Sequence, residues 1–521
     1  MILTDEALNT RVNTLLEADN FGLANWHTAD LPEPVVFSYQ FETRKRGDFP
    51  WANVANPVDF SDAEKDMVRS AFDAYEAILN IDFVEVTDDR DPVFSVYNSP
   101  DLDTSSSLGI GGLGRWDYVG TEWDGSMAFL ADIDLSLNPF LVLHELGHML
   151  GLKHPGLYDA LDGDAPPPFL PGAEDNQKYT VMSYNENPDT GADTDTLLLY
   201  DLAAAQQFWG VNATAGAGAT VYTPFDRDRL HVIDDRSGED LLLYSGSDAA
   251  RFDLRQGAFS TFNGQDIVAI AYGSVIENAE GDAGADRLIG NDTSNLLTGR
   301  AGRDSLSGLD GDDWLHGGSG ADWLFGGAGS DWAVYTDADG GVQANLSNGA
   351  RNTGDATGDR YRSVENLMGS EVRDILVGNG ADNTLEGGRG RDTLEGRAGA
   401  DRLFGQADGD ILRGGKGADV LKGGAGADRL EGGLGADRLT GGTDVDIFVF
   451  DRGADVITDF DADRLLFDAA LWGGGARTAA EILDYARIRD TDVLFNFGSG
   501  NRLTLEDYTD LADLETHIDI V

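Results

Sequence analysis

Cysteine is absent from all 521 residues. Disulfides and thiol chemistry are therefore excluded, and whatever holds the fold is noncovalent or a bound ion. Basic residues are scarce too: 37 Lys and Arg stand against 93 Asp and Glu, a formal net charge of -56. A chain of that sign disfavours nucleic acid and anionic membrane surfaces as partners. No apolar run approaches the roughly 18 residues a membrane span needs. Met1 to Asn20 carries acids where an export signal needs a basic region, and no apolar core follows. An export address, if there is one, is expected elsewhere. Such acidity often means disorder. Hydrophobic residues nevertheless make up 41%, enough for several cores, so the spacing of the carboxylates has to decide.

Histidine is the next scarcity, with seven in the chain. Three of them fall in one stretch, His144 to His154, HELGHMLGLKH. On a helix, residues four apart project from one face, so His144 and His148 can share one ion. Glu145 sits beside the first histidine, where a carboxylate reaches a metal-bound water as general base without being a ligand. Gly151 stops the helix, because glycine takes the left-handed turn freely, and His154 returns as a third ligand. Three imidazoles leave a fourth position open for water, the mark of a catalytic zinc rather than a structural one. Asn138 and Pro139 suit the cap and first turn of that helix.

The preceding segments read as α/β. Val35 to Phe41 alternates as a strand. Ser61 and Glu64 form a capping box for a helix whose stripe is Met67, Val68, Ala71, Phe72, Tyr75, Ile78 and Leu79. Ile81 to Val86 and Val93 to Tyr97 read as strands, and Ser105 to Gly114 as a loop. Leu8, Val12, Leu15 and Leu16 give a short amphipathic helix in a possible pro-segment, residues 1–30. Downstream, Tyr179 to Tyr184 reads YTVMSY and DLAAAQQFWG forms a helix ending at Gly210.

With these segments the sequence resembles the metzincin proteases and, within them, the serralysin family of secreted bacterial proteases. The resemblance implies zinc on His144, His148 and His154, with Tyr184 as a displaceable further ligand that swings to stabilise the oxyanion. It implies Glu145 as base and Met182 as a methionine turn beneath the metal. Lys153 departs from the expected pattern, where a small residue would stand. A peptide substrate is expected to bind extended along a sheet edge near Val93 to Tyr97.

From Gly281 the chain becomes periodic. Nine-residue units begin at Gly281, Gly290, Gly299, Gly308, Gly317 and Gly326, and resume from Gly369 through Gly441, with copies such as GGKGADVLK and GGAGADRLE. This resembles the repeats-in-toxin nonapeptide, in which a turn holds Ca²⁺ and a short strand buries one leucine. Leu288, Leu297, Leu306, Leu315 and Leu324, then Leu376 to Leu439, are the inward leucines. The expected calcium ligands are Asp286, Asp304, Asp313, Asp322, Asp331, Asp374, Asp392, Asp401, Asp410, Asp419, Asp428 and Asp437. Asn295 and Asn383 break the series. One ion between turns n and n+2 on each edge gives a ceiling of about eleven.

The expected architecture is multidomain: an α/β (α+β) metzincin catalytic domain, 31–212, then a C-terminal parallel β-roll and β-sandwich region. The latter divides into sandwich strands, 213–280, a first roll block, 281–334, a β interlude, 335–368, a second block, 369–449, and a β-rich end, 450–521. The last residues, Asp519-Ile520-Val521, resemble a type I secretion signal, so type I machinery is an expected partner beside protein or peptide substrates. The expected molecule is a secreted, monomeric zinc endopeptidase with one catalytic zinc and several structural calcium ions. Two other classes share part of this pattern: a repeats-in-toxin adhesin or surface-layer protein, and an inactive protease relative.

Overall fold

The computed structural model describes residues 34–42, 57–87, 94–99, 112–119, 122–130, 134–155, 170–189, 196–212, 214, 216–223, 230–262, 264–475 and 477–521. The helix expected within residues 4–18 lies outside these. The chain divides into two compact units, residues 1–241 with 254–276, and residues 242–253 with 277–521.

In the first unit, β1 (Val35–Glu42), β2 (Ile81–Glu85), β3 (Phe94–Ser99), β4 (Gly112–Val119) and β5 (Glu122–Leu130) form one sheet. Its order is β2-β1-β3-β5-β4. The pairs β1/β2, β1/β3 and β3/β5 are parallel, and β4/β5 is antiparallel. Adjacency across such distances in sequence is set by tertiary packing, and it corrects one expectation. β3 carries the described part of the expected Val93–Tyr97 strand, from Phe94 on, but lies inside the sheet, between β1 and β5, so it offers no edge to a peptide. The edge on that side is β4, which begins at Gly112, within the segment expected to be a loop.

Helix α1 (Asp62–Glu76) starts at the expected capping box: the Glu64 amide donates to Ser61 Oγ, and the Ser61 amide donates to Glu64 Oε2 at 2.8 Å. Its buried stripe is Val68, Ala71, Phe72 and Tyr75. Phe72 packs on Tyr39 of β1 and Phe83 of β2 at 4.3 and 4.4 Å between ring centroids. α2 (Pro139–Met149) is apolar nearly all round, as a helix enclosed by its unit must be. α3 (Leu199–Trp209) closes the core by setting Trp209 edge-on against Phe37 of β1, at 5.3 Å.

The second unit is dominated by parallel strands, consistent with a β-roll. On one face, strands follow from Asn278–Glu280 through Leu296–Thr298, Trp314–His316, Trp332–Val334, Asn366–Met368 and Thr384–Arg389. They continue to Arg402–Ala407, Val420–Ala425, Arg438–Thr443 and Ala454–Ile457. This face crosses the aperiodic stretch without interruption, because Trp332 pairs with Asn366. The opposite face is divided there: Trp323–Ala328 ends on Arg360–Arg362, and a new run starts at Gln343–Asn345. It ends with Ile518–Ile520 laid parallel on Arg464–Phe467. Every repeat leucine from Leu288 to Leu439 is buried, at no more than 2% exposure, so the expected inward position holds. Among the described residues, no helix is long and apolar enough to cross a membrane.

Candidate metal centre

The zinc motif folds as a helix with a Schellman stop. Gly151 has φ 91°, the Leu152 amide donates to the Gly147 carbonyl at 2.9 Å, and the Gly151 amide donates to that of His148 at 3.1 Å. The reversal does two things. It returns His154 to the helix, and it aims the Leu152 carbonyl at His148.

His154 Nε2 lies 3.1 Å from Nε2 of His144 and 3.1 Å from Nε2 of His148. The Nδ1 atoms of these two partners meet backbone carbonyls: His144 donates to Val181 at 2.7 Å and His148 to Leu152 at 2.9 Å. A carbonyl only accepts, so each proton sits on Nδ1 and each Nε2 turns a lone pair inward. Nitrogens sharing a tetrahedral zinc at about 2.0–2.1 Å are separated by about 3.3 Å. The donor set and its spacing therefore fit a zinc ion. Burial, then the neighbouring His148, holds the His144 imidazole down at about 3, and burial depresses His154 further, so both are neutral and able to bind metal at neutral pH. Among the described residues, these three form the one group of His, Asp and Glu with that convergence.

The floor of the site comes from Val181 to Tyr184. Met182 is fully buried, and a Cβ placed on Gly147 would meet its Sδ at 2.6 Å, so helix and turn touch between the two helical histidines. Tyr184 stacks on His144 with centroids 5.1 Å apart and tilts against His154 at 4.7 Å. Glu145 is 3% exposed on α2. Lys153, the sequence departure, is buried at 6%.

Two residues that support this floor escape sequence reasoning. Asp201, fully buried at the start of α3, accepts from Thr180 Oγ1 at 2.5 Å, from the Val181 amide at 2.8 Å and from the Leu198 amide at 3.0 Å. It thereby fixes the carbonyl that orients His144. Burial raises its carboxyl to about 7 against the pull of those three donors. Tyr75 of α1 donates its hydroxyl to the Leu143 carbonyl at 3.1 Å, tying α1 to the metal helix. The only signal in the sequence is an acid in an otherwise apolar run, LLLYDLAAA.

In the repeats the carboxylates form a ladder. Asp304 Oδ1 accepts from the Asp286 amide, and the same bond recurs from Asp304 to Asp322, Asp392 to Asp410, Asp410 to Asp428 and Asp419 to Asp437, always 18 residues apart and at 2.7–2.9 Å. The second oxygen has no such partner. Oδ2 of Asp304, Asp313, Asp322, Asp331, Asp392, Asp401, Asp410, Asp419, Asp428 and Asp437 is buried and accepts nothing from the protein. A buried anionic oxygen without a donor calls for a cation. Ten of the twelve expected ligands therefore fit calcium, and Asp446, missed in the sequence though nine residues past Asp437, joins them. Asp286 and Asp374 differ, since both of their oxygens accept backbone amides.

Comparison with known proteins agrees. The RTX calcium-binding nonapeptide repeat matches residues 280–311, 298–333, 368–403, 377–412, 404–439 and 423–457. A serralysin of Photorhabdus luminescens is 34% identical over 296 residues, 51% of this chain and 60% of that protein. A serralysin of Proteus mirabilis is 30% identical over 309 residues, 51% and 61% of the two chains. Metalloprotease AprA of Pseudomonas entomophila is 30% identical over 320 residues, 54% and 65% of the two. The chain is serralysin-like and carries RTX repeats. It spans about three fifths of the length of the curated relatives it matches.

In this serralysin-like chain the ladder also accounts for part of the acidity. Burial comes first in raising Asp410 to about 8, and the Asp392 and Asp428 carboxylates 18 residues to either side raise it further. Asp392 and Asp419 rise to about 7 for the same reasons. Without a cation, such a stack is ionised only at a cost.

Proposed function

We propose that this chain is a secreted zinc metalloendopeptidase of the metzincin type, supported by its calcium-binding roll. The observation carrying the reading is the convergence of His144, His148 and His154, with Nδ1 of the first two committed to carbonyls. Zinc held by these nitrogens supplies a Lewis acid that activates water and polarises the scissile carbonyl. Glu145, one residue past the first histidine, takes the proton from the attacking water and passes it to the departing amine. Tyr184, its ring against His144 and His154, donates its hydroxyl to the developing oxyanion. Met182 and Asp201 hold the floor and the Val181 carbonyl in place. The substrate is a protein or peptide in extended form, pairing its backbone along the outer edge of β4. Type I secretion delivers the monomeric chain to calcium-rich surroundings.

The test is casein hydrolysis with zinc measured on the same preparation. Glu145→Gln is expected to retain zinc and lose about 10²–10⁴-fold in rate, the range of a general base. Undiminished hydrolysis would remove Glu145 from the mechanism, and a preparation free of zinc would favour a non-enzymatic surface protein.

A further inference from the structure

The two asparagines that break the aspartate series occupy matching places. Asn295 and Asn383 each stand in the second nonapeptide of a block, in the pattern Gly-Asn-x-x-x-Asn, and each block is preceded by Glu-Asn at Glu277-Asn278 and Glu365-Asn366. Their side chains are 2% exposed. Asn295 Oδ1 accepts from the Asn291 amide at 2.8 Å, while Nδ2 donates to the Glu277 carbonyl at 2.8 Å and to Asn291 Oδ1 at 3.1 Å. Asn383 repeats this: its Oδ1 accepts from the Asn379 amide at 2.8 Å, and its Nδ2 donates to the Glu365 carbonyl at 2.7 Å. The flanking bonds also recur, with the Leu296 amide donating to Asn278 Oδ1 and the Thr384 amide to Asn366 Oδ1.

The aspartate turns contrast with this, since their Oδ2 atoms are buried and empty-handed. In both asparagine turns Oδ1 stands where an aspartate turn presents its empty Oδ2 and accepts the amide four residues back, while Nδ2 takes the place of Oδ1 and donates to the carbonyl 18 residues back. The neighbouring first turns of each block are closed as well. Asp286 accepts from the amides of Ala250 and Asp282, and Asp374 from those of Val342 and Ser370. The first layer of each block is thus satisfied on both edges by protein donors, and the unsatisfied carboxylates begin one layer later.

We infer that Asn295 and Asn383 are metal-free closures, each carboxamide satisfied by protein groups alone where the other turns leave an oxygen for calcium, so that each block grows from a first layer that needs no calcium. The inference rests on the calcium reading of the repeats. Replacing either asparagine with aspartate sets a carboxylate oxygen against a backbone carbonyl, two acceptors that only a cation can reconcile.

The full-length chain, Asn295→Asp/Asn383→Asp and Asn295→Ala/Asn383→Ala are compared by calcium titration, read by far-UV circular dichroism and by bound calcium at saturation. The aspartate pair is expected to bind up to two more calcium ions. Both pairs are expected to need roughly twofold more calcium at half-folding, because the lost closures are shared among the several ions that bind together. Unchanged stoichiometry in a folded aspartate pair, or an unchanged midpoint in the alanine pair, overturns the inference. If the aspartate pair fails to fold, the alanine pair still decides it. A parent chain that binds no calcium would instead overturn the calcium reading itself.

Discussion

Gly147 shows how tightly single atoms are fixed around the metal helix. It lies between His144 and His148, and an added methyl would meet Met182 Sδ at 2.6 Å and the Tyr75 hydroxyl at 3.1 Å. Neither neighbour is at liberty to move: Tyr75 is held by the Leu143 carbonyl, and Met182 is fully enclosed. Gly147→Ala is therefore expected to destabilise the zinc unit by about 1–3 kcal/mol, the usual range for overpacking, seen as a lower thermal midpoint and weaker zinc retention. A variant as stable as the parent would mean that helix and methionine turn are not in contact in solution. At this scale the sequence was legible where the physics is local. The four-residue spacing of two histidines and the glycine stop are properties of one short segment. Asp201 was hidden because it acts on Val181 from 20 residues away, and an acid in a helix's first turn reads equally well as a simple partner of the helix dipole.

Elements follow the same division. The roll strands are legible because nine-residue periodicity writes a turn and, in most copies, a leucine into the chain; Asp446 lies in the Gly441 unit, where Phe448 stands in place of the leucine. The order of the five-stranded sheet was not legible. Nothing in the Phe94–Ser99 segment says that β1 and β5 flank it and that the strand at the sheet's end on that side is β4. Nor does residue type separate Asp286 and Asp374, which take their donors from Ala250 and Val342, from the aspartates left needing a cation.

The ladder also has a pH signature. Burial, reinforced by stacked neighbours, raises Asp304, Asp313 and Asp392 to about 7 and Asp410 to about 8 in the metal-free fold, above the ordinary 3.8. A raised folded value means the folded roll binds more protons than the unfolded chain. The stabilisation is complete below about pH 4 and is lost as pH climbs through the folded values near 7 to 8. Chain stripped of calcium by dialysis is thus expected to regain β signal in circular dichroism at pH 5 and to lose it at pH 8. Equal signal at both would show that these carboxylates are not buried together. With calcium present the sign reverses, since protons compete for the same oxygens, and the calcium midpoint should rise as pH falls.

For the whole molecule, a net charge of -56 is a folding instruction. Ions that bind only the folded roll stabilise it by mass action. Chelation at pH 7.5 is expected to unfold the second unit, with the β signal restored when calcium is returned; identical spectra with and without chelator would refute a calcium-built roll. The nonapeptides stop after the Gly326 unit and resume at Gly369. Nothing in the sequence says that the break interrupts one face alone, because strand pairing across 34 residues, Trp332 with Asn366, leaves no periodic trace.

That uninterrupted face makes the roll a ruler with fixed graduations. Neighbouring strands along it stand about 4.8 Å apart whatever the length of chain between them. Eighteen residues separate most rungs, yet the step from Trp332 to Asn366 takes 34 and still advances a single rung. Extra chain inserted at a turn would therefore add a flap without lengthening the rod. Deleting one nonapeptide would do the opposite kind of harm: every later strand would change faces, and each later carboxylate would arrive on the wrong side of its stack. Only changes in steps of two repeats leave the graduations intact.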